Sequence, residues 1–280
     1  MRREIQRRFV FFSIITLTIF SGHRIRSTLR DEDANPTNEI LGRAATYCEK
    51  IASAALFFVC EERIREDIFM PPRRSRSAFF RIADRNETNN YVYDYQLITK
   101  QGRVEENRTL VEENGEKKQE KNAPLKTKRF YSLKSVYAPA DFVGREAQAL
   151  YSFKFLGEEK VLGRRAYLLK SLPLKDKEKN RSYGKIWVDR EDFSVLKIER
   201  DQESIEGYED LKEKVAKQKM WPILSASHEF GVEKNGIRFP GRTDYSESYA
   251  GEWIPKFKRS IAVIEYVHYK FFTVEVIIGR

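Results

Sequence analysis

Three histidines, two cysteines and 42 carboxylates are the groups in this 280-residue chain that could do chemistry, and their spacing sets limits on what they could do. His23 lies near the N-terminus, while His228 and His268 share no metal-ligand spacing with each other or with a cysteine. A zinc site or a nucleophilic triad would therefore lack partners. His228 interrupts an apolar face and His268 falls mid-strand, places that suit satisfied structural histidines. Glu229 and Glu247 could meet across a hairpin, but with so many acids chance pairs are expected. No G-x-S-x-G, H-E-x-x-H or phosphate-loop pattern occurs. The chain reads as non-enzymatic, with no catalytic residue, metal or cofactor assigned.

Cys48 and Cys60 leave two readings open. In an exported chain they could form one disulfide pinning the first helix to the first strand. They could equally be two small buried hydrophobes, which suits Cys48's place on a helix's apolar stripe. Asn86, Asn107 and Asn180 head glycosylation triplets that matter only in a eukaryotic secretory route.

Aromatic faces are the features most open to a functional reading. Core packing accounts for most of them. The functional version makes Tyr93, Tyr95, Tyr151, Phe153, Phe155, Phe239 and Tyr245 the lining of a concave cavity for an apolar ligand.

Those side chains need elements to hold them. Asn38 can cap a helix over 38–54, with Ile40, Ala44, Cys48, Ile51 and Ala55 on one stripe and Leu41 and Tyr47 beside it. Residues 56–64 are β-prone and read as a strand, with one helix continuing to Glu66 as the competing reading. Tyr91, Tyr93, Tyr95 and Leu97 alternate with polar neighbours, predicting a strand that turns at Gln101–Gly102 into a polar edge strand over 104–111. The stretch 112–128 is the most charged and reads as a mobile loop. A short helix over 139–148 precedes strands at 149–156, 164–172, 183–189 and 193–200, the second and third separated by a lysine-rich loop over 173–181. Residues 206–219 read as a helix, ended by Trp221–Pro222. Leu224, Ala226, Phe230 and Val232 then share a strand face. Asn235–Gly236 is the strongest hairpin signal, with a return strand carrying Ile237, Phe239, Tyr245 and Tyr249. A last strand occupies 260–278. Eight to ten antiparallel strands with one wet face and little helix predict a mainly β fold with α. In it one large sheet curves into an unclosed barrel, plugged or covered by the N-terminal helix and one or two others.

The two ends of the chain differ in character. Arg2, Arg3, Arg7 and Arg8 precede the uncharged run 9–20, which is too short to span a bilayer as a helix, so 1–26 reads as a signal peptide or N-terminal anchor. A polar linker follows over 27–37, and 38–280 reads as one half-barrel domain. The leader contributes a net +5 of the total +10, so the rest is too mildly basic to indicate nucleic-acid binding.

The segment Gly163-Arg-Arg-Ala-Tyr-Leu-Leu, then Tyr183-Gly-Lys-Ile-Trp-Val-Asp and Val195-Leu-Lys-Ile-Glu, resembles the periplasmic lipoprotein-carrier family (LolA and LolB type). It also resembles the related lipid-binding domain of sigma-factor regulators. The closing block, Gly236-Ile-Arg-Phe-Pro and Tyr269-Lys-Phe-Phe-Thr-Val, is similar to exported bacterial proteins set beside that group. The resemblance implies an unclosed barrel with helices inside, periplasmic or otherwise exported, holding a lipid or lipidated segment as an outer-membrane lipoprotein-sorting carrier does. An envelope-stress sensor or protein-interaction module of the same fold, with an envelope protein as partner, is the alternative. Oligomeric state is outside what the sequence supports.

Overall fold

A computed structural model of the chain describes residues 36–54, 56–70, 86–100, 103–130, 135–174 and 182–272. The leader, the linker up to Asn35, the turn at Gln101–Gly102 and the lysine-rich loop from 175 to 181 lie outside the described residues.

Helix α1, Thr37–Ser53, buries Ile40, Leu41, Ala44, Ala45, Tyr47, Cys48 and Ile51 on one side. It starts two residues earlier than a cap at Asn38 would set it, with Pro36 at the cap position. Asn38 lies inside the first turn rather than capping it, and no side chain makes a cap hydrogen bond. Glu39 near the start and Lys50 near the end complement the helix dipole. The chain turns extended at Ala54 and enters strand β1, Phe57–Ile68. The strand reading holds here over the single helix. Phe58, Cys60, Ile64 and Ile68 are all buried, and only a period of two puts them together.

β2 (Glu87–Lys100) and β3 (Arg103–Glu113) follow. The loop predicted over 112–128 needs correction, because Glu116–Lys121 forms strand β4 against β3. Asn114 (φ 53°) and Gly115 (φ 85°) make the two-residue turn that closes this hairpin. The short helix predicted over 139–148 is two pieces, α2 (Ala138–Val143) and α3 (Arg145–Gln148). Gly144 between them is extended, and a Cβ there would lie 2.5 Å from the Ala140 carbonyl oxygen.

β5 (Tyr151–Val161) and β6 (Arg164–Pro173) turn through Leu162 and Gly163, both at positive φ. Then come β7 (Gly184–Asp189), β8 (Val195–Arg200), helix α4 (Tyr208–Ala216) and β9 (Met220–Glu229). Trp221 and Pro222 therefore open a strand rather than end the helix. The Asn235–Gly236 hairpin joins β10 (Val232–Lys234) to β11 (Ile237–Phe239). This pair stands apart from the main sheet, so the long return strand predicted after it is broken at Pro240–Gly241 and resumes as β12 (Arg242–Gly251). β13 (Phe257–Phe271) completes the described chain.

Eleven strands form one antiparallel sheet in the order β4-β3-β2-β1-β13-β12-β9-β8-β7-β6-β5. β4 and β5 are not joined to each other, so the barrel is unclosed. Both edges are blunted. β4 is entirely exposed Glu, Lys and Gln, and β5 bulges near Gly157 (φ 126°).

The core lies on the inner face of this sheet. α1, α2 and the β10–β11 hairpin fill it, with Phe58 edge-on to Phe239 at 5.3 Å. Polar clamps fix the filling. The Arg238 amide donates to Tyr47 Oη at 3.0 Å, Lys50 Nζ donates to the Gly236 carbonyl at 3.1 Å, and Gln148 Nε2 donates to the Leu41 carbonyl at 2.8 Å. Each large side chain that α1 buries contributes about 1.5–3 kcal/mol, so Ile40 and Ile51 carry much of the plug.

Candidate functional site

Strand register determines what the inner face presents at its centre. Arg200, Ala226, Tyr245 and Ala262 stand opposite one another across β8, β9, β12 and β13. Ile198, His228, Thr243 and Ile264 form the next row. Small alanines in the first row leave room above the sheet. A cleft of about 600 Å³ occupies it, lined from the sheet by Arg200, Ala226, His228, Tyr245 and Glu247. Ala138 and Asp141 of α2 form one wall, Lys128–Phe130 another, and Ile205, Glu206, Gly207, Asp210, Leu211 and Lys214 the cover. A second cleft of about 340 Å³ shares Arg129, Leu211 and Lys214 with the first and continues along Val215, Met220, Ile254 and Phe257.

The cover is lightly held. Gly207 takes the left-handed conformation (φ 81°) that starts α4, and Tyr208 is the one residue of that helix to be buried. Leu211 and Val215 are half-buried towards the clefts.

The wall at 128–130 is the end of a strap that two inward carboxylates, Glu66 and Glu247, hold down. The Lys126 amide donates to Tyr93 Oη at 3.0 Å, and Tyr93 Oη donates to the Pro124 carbonyl at 3.3 Å. Glu66 accepts from the amides of Lys128 and Arg129 at 2.9–3.1 Å. Glu247 accepts both forks of the Arg129 guanidinium and the Tyr249 hydroxyl. That carboxylate raises the Arg129 pKa through its hydrogen bonds. Deeper in the core, Arg108 Nε donates to buried Glu62 at 2.7 Å and lies over the Tyr95 ring.

On the floor, His228 Nδ1 lies 3.1 Å from Thr243 Oγ1. Burial first, and the charge of Arg200 second, push its pKa down to about 3, so the imidazole is neutral. Burial pushes Tyr245 up to about 12. Burial also lowers the Arg200 pKa, against the opposing pull of Asp141 and Glu206.

The residues singled out from sequence divide between core and cleft. Tyr245 borders the larger cleft, its ring 4.8 Å from that of Phe130 and tilted by 34° to it. Tyr93, Tyr95, Tyr151 and Phe239 are buried in the packed core, and Phe153 and Phe155 pack half-buried against it. Cys48 and Cys60 are free, buried thiols rather than a disulfide, each pushed up to about 12 by burial. His228 is a satisfied buried histidine, as expected, and His268 is exposed beside Glu61. Glu229 and Glu247 do not meet, since register sets Arg242 opposite Glu229 and Leu224 opposite Glu247. Arg200, Arg129 and Leu211 were missed. The alternation Ile198–Arg200 within a strand was the one available signal, an arginine on the inward phase.

Among the described residues, no group of three or more His, Cys, Asp or Glu is placed to hold a metal ion. No described helix is long and apolar enough to cross a membrane.

No protein-family model matches the chain, and no curated protein does. Solved structures do. A DUF1329 family protein from Desulfovibrio piger aligns at 12% identity and a TM-score of 0.37, covering 87% of this chain and 95% of that one. A LolA superfamily protein from Nitrosomonas europaea aligns at 14% identity and a TM-score of 0.31, covering 85% and 94%. The Pseudomonas aeruginosa MucA/MucB complex gives 10% identity and a TM-score of 0.23, covering 82% and 94%. At TM-scores this low none of these likenesses says what the chain binds.

Proposed function

We propose that this is a non-enzymatic binding protein that holds an acyl chain, of a lipid or a lipidated segment, in the groove beneath α4. One observation carries the reading. The clefts of about 600 and 340 Å³ lie side by side, sharing Arg129, Leu211 and Lys214, and set Phe130, Tyr245, Ala226, Leu211, Val215, Met220 and Phe257 along one path for an acyl chain. The larger cleft is of ligand-pocket size, ~300–1,000 Å³, and joins apolar walls to a few polar groups. A cover with one buried residue can lift to admit a chain at small cost. The arginine-rich leader supports export to the periplasm, where a carrier of the lipoprotein-sorting kind would work.

Native mass spectrometry of gently purified protein, followed by binding of a fluorescent acyl probe to the delipidated chain, tests this. Ala226→Trp fills the track and should weaken the probe at least ~10-fold while the fold persists. A chain that carries no lipid and binds no probe is not a carrier. A second reading, an envelope protein that binds a protein partner, is favoured by Trp253 and Trp221, 79% and 46% exposed beside Ile254 and Met220 of the second cleft. Trp253→Ala that abolishes a crosslinked partner and leaves probe binding intact would select it.

A further inference from the structure

The cleft floor holds a cation with no ion pair among the described residues. Arg200 closes β8 on the inward phase. Its Nη1 donates to Ser182 Oγ at 2.7 Å, and its guanidinium carbon lies 5.9 Å from the Phe142 ring centre. Its Nε is shut off from water and has no hydrogen-bond partner, alone in this among the buried side-chain polar atoms of the described residues. A buried donor left unpaired destabilises the fold, and a desolvated charge without an ion pair does so more strongly.

The other cations of the cleft are differently placed. Lys128 pairs with Glu87, Arg129 pairs with Glu247, and Lys214 is exposed at the rim. Asp141 and Glu206 border the same cleft and favour the Arg200 charge from a distance, and among the described residues no ion pair within 4 Å links either to it. His228 beside it is neutral, which leaves Arg200 as the charge of the floor.

We propose that Arg200 anchors the anionic head, a carboxylate or phosphate, of an amphiphile whose chain runs along Ala226, Tyr245 and Leu211. This rests on the groove reading and adds polarity to it, with the head at β8 and the chain towards the second cleft. A guanidinium presents paired N–H donors that match two oxygens of such a head, and a turn of the Arg200 side chain into the cleft brings Nε–H, now shut off from it, to the acceptor it lacks.

Calorimetry on the delipidated full chain with oleate, methyl oleate and inorganic phosphate tests the assignment. Oleate should bind about 10-fold or more tightly than its ester, because a charge-assisted bond is lost with the carboxylate. Arg200→Gln should bring oleate down to the ester's affinity and leave the ester unchanged, while Arg200→Lys retains part of the preference. Equal wild-type affinities for oleate and ester, or a preference that survives Arg200→Gln, overturn the anchor and leave the groove standing. Binding of phosphate without oleate makes the floor a free-anion site and overturns the amphiphile. If neither oleate nor ester binds, the groove reading fails and the anchor with it. Should Arg200→Gln not fold, Arg200→Lys and the wild-type comparison still decide.

Discussion

The same sheet carries two covers on its inner face, and they are built differently. α1 buries eight residues and is clamped by Tyr47, Lys50 and Gln148 to the hairpin and to neighbouring backbone. α4 buries Tyr208 alone; Leu211 and Val215 are half-buried, and the exposed surface is Glu, Asp and Lys with Ala216. Beneath α1 the space is filled by aromatic and aliphatic side chains; beneath α4 it is open, with a neutral histidine and an unpaired guanidinium on the floor. A half-barrel must hide its apolar face, and here one part is hidden by permanent packing and the other only roofed. The proposed groove lies where the packing stops.

The largest effect should separate the two helices. Ile51 is 1% exposed under α1, so Ile51→Asp buries an unpaired carboxylate and should cost more than ~4 kcal/mol, unfolding the domain outright. Leu211→Asp on α4 should cost about 1 kcal/mol or less, because its carboxylate can stay in water. Circular dichroism and urea melts of both variants check this. An Ile51→Asp protein that keeps its β signal and gains strong hydrophobic-dye binding would make α1 a lid as well and erase the contrast.

Within the filled region, Arg108→Ala should cost ~3–5 kcal/mol by stranding Glu62, which is fully buried. The double replacement Glu62→Met with Arg108→Leu should recover most of that loss. If it does not, the pair is stabilising in its own right and the core is more dependent on charge than its apolar filling suggests.

A further effect belongs to the open region and depends on pH. The imidazole of the unfolded chain takes a proton near its ordinary 6.5, whereas His228 in the fold resists protonation down to about 3. The unfolded state therefore binds more protons in that window, and stability falls as pH drops through it. Between pH 7 and 4 the loss from this group should be about 3 kcal/mol at 1.36 kcal/mol per unit. Denaturant melts at both values, compared with His228→Asn, isolate it. A variant as acid-sensitive as the wild type would show that water reaches the floor.

Much of the fold was legible because strands and helices announce themselves by period. The stripe Ile40, Ala44, Cys48, Ile51 and the alternation Tyr91, Tyr93, Tyr95, Leu97 each fit one geometry. Asn114–Gly115 was equally legible and was passed over because the surrounding Glu and Lys suggest a loop, although an edge strand is where such residues belong. The site was hardly legible. Tyr245 stood out only as one of seven candidate aromatics, while Arg200 and Leu211, far from it in the chain, each alone look like an ordinary strand or helix residue.

The sequence by itself determined the strand-rich class, the amphipathic first helix and the hairpin at Asn235–Gly236, because periodicity and turn chemistry act over a few residues. Tertiary structure decided the rest. It placed β13, the last strand of the described residues, between β1 and β12, and it set Arg200, Ala226 and Tyr245 in one row. It also decided which aromatic faces are filled and which border a groove. These depend on pairings between distant segments, whose registers are fixed by burying one face of the whole sheet at once, and no local pattern encodes that choice.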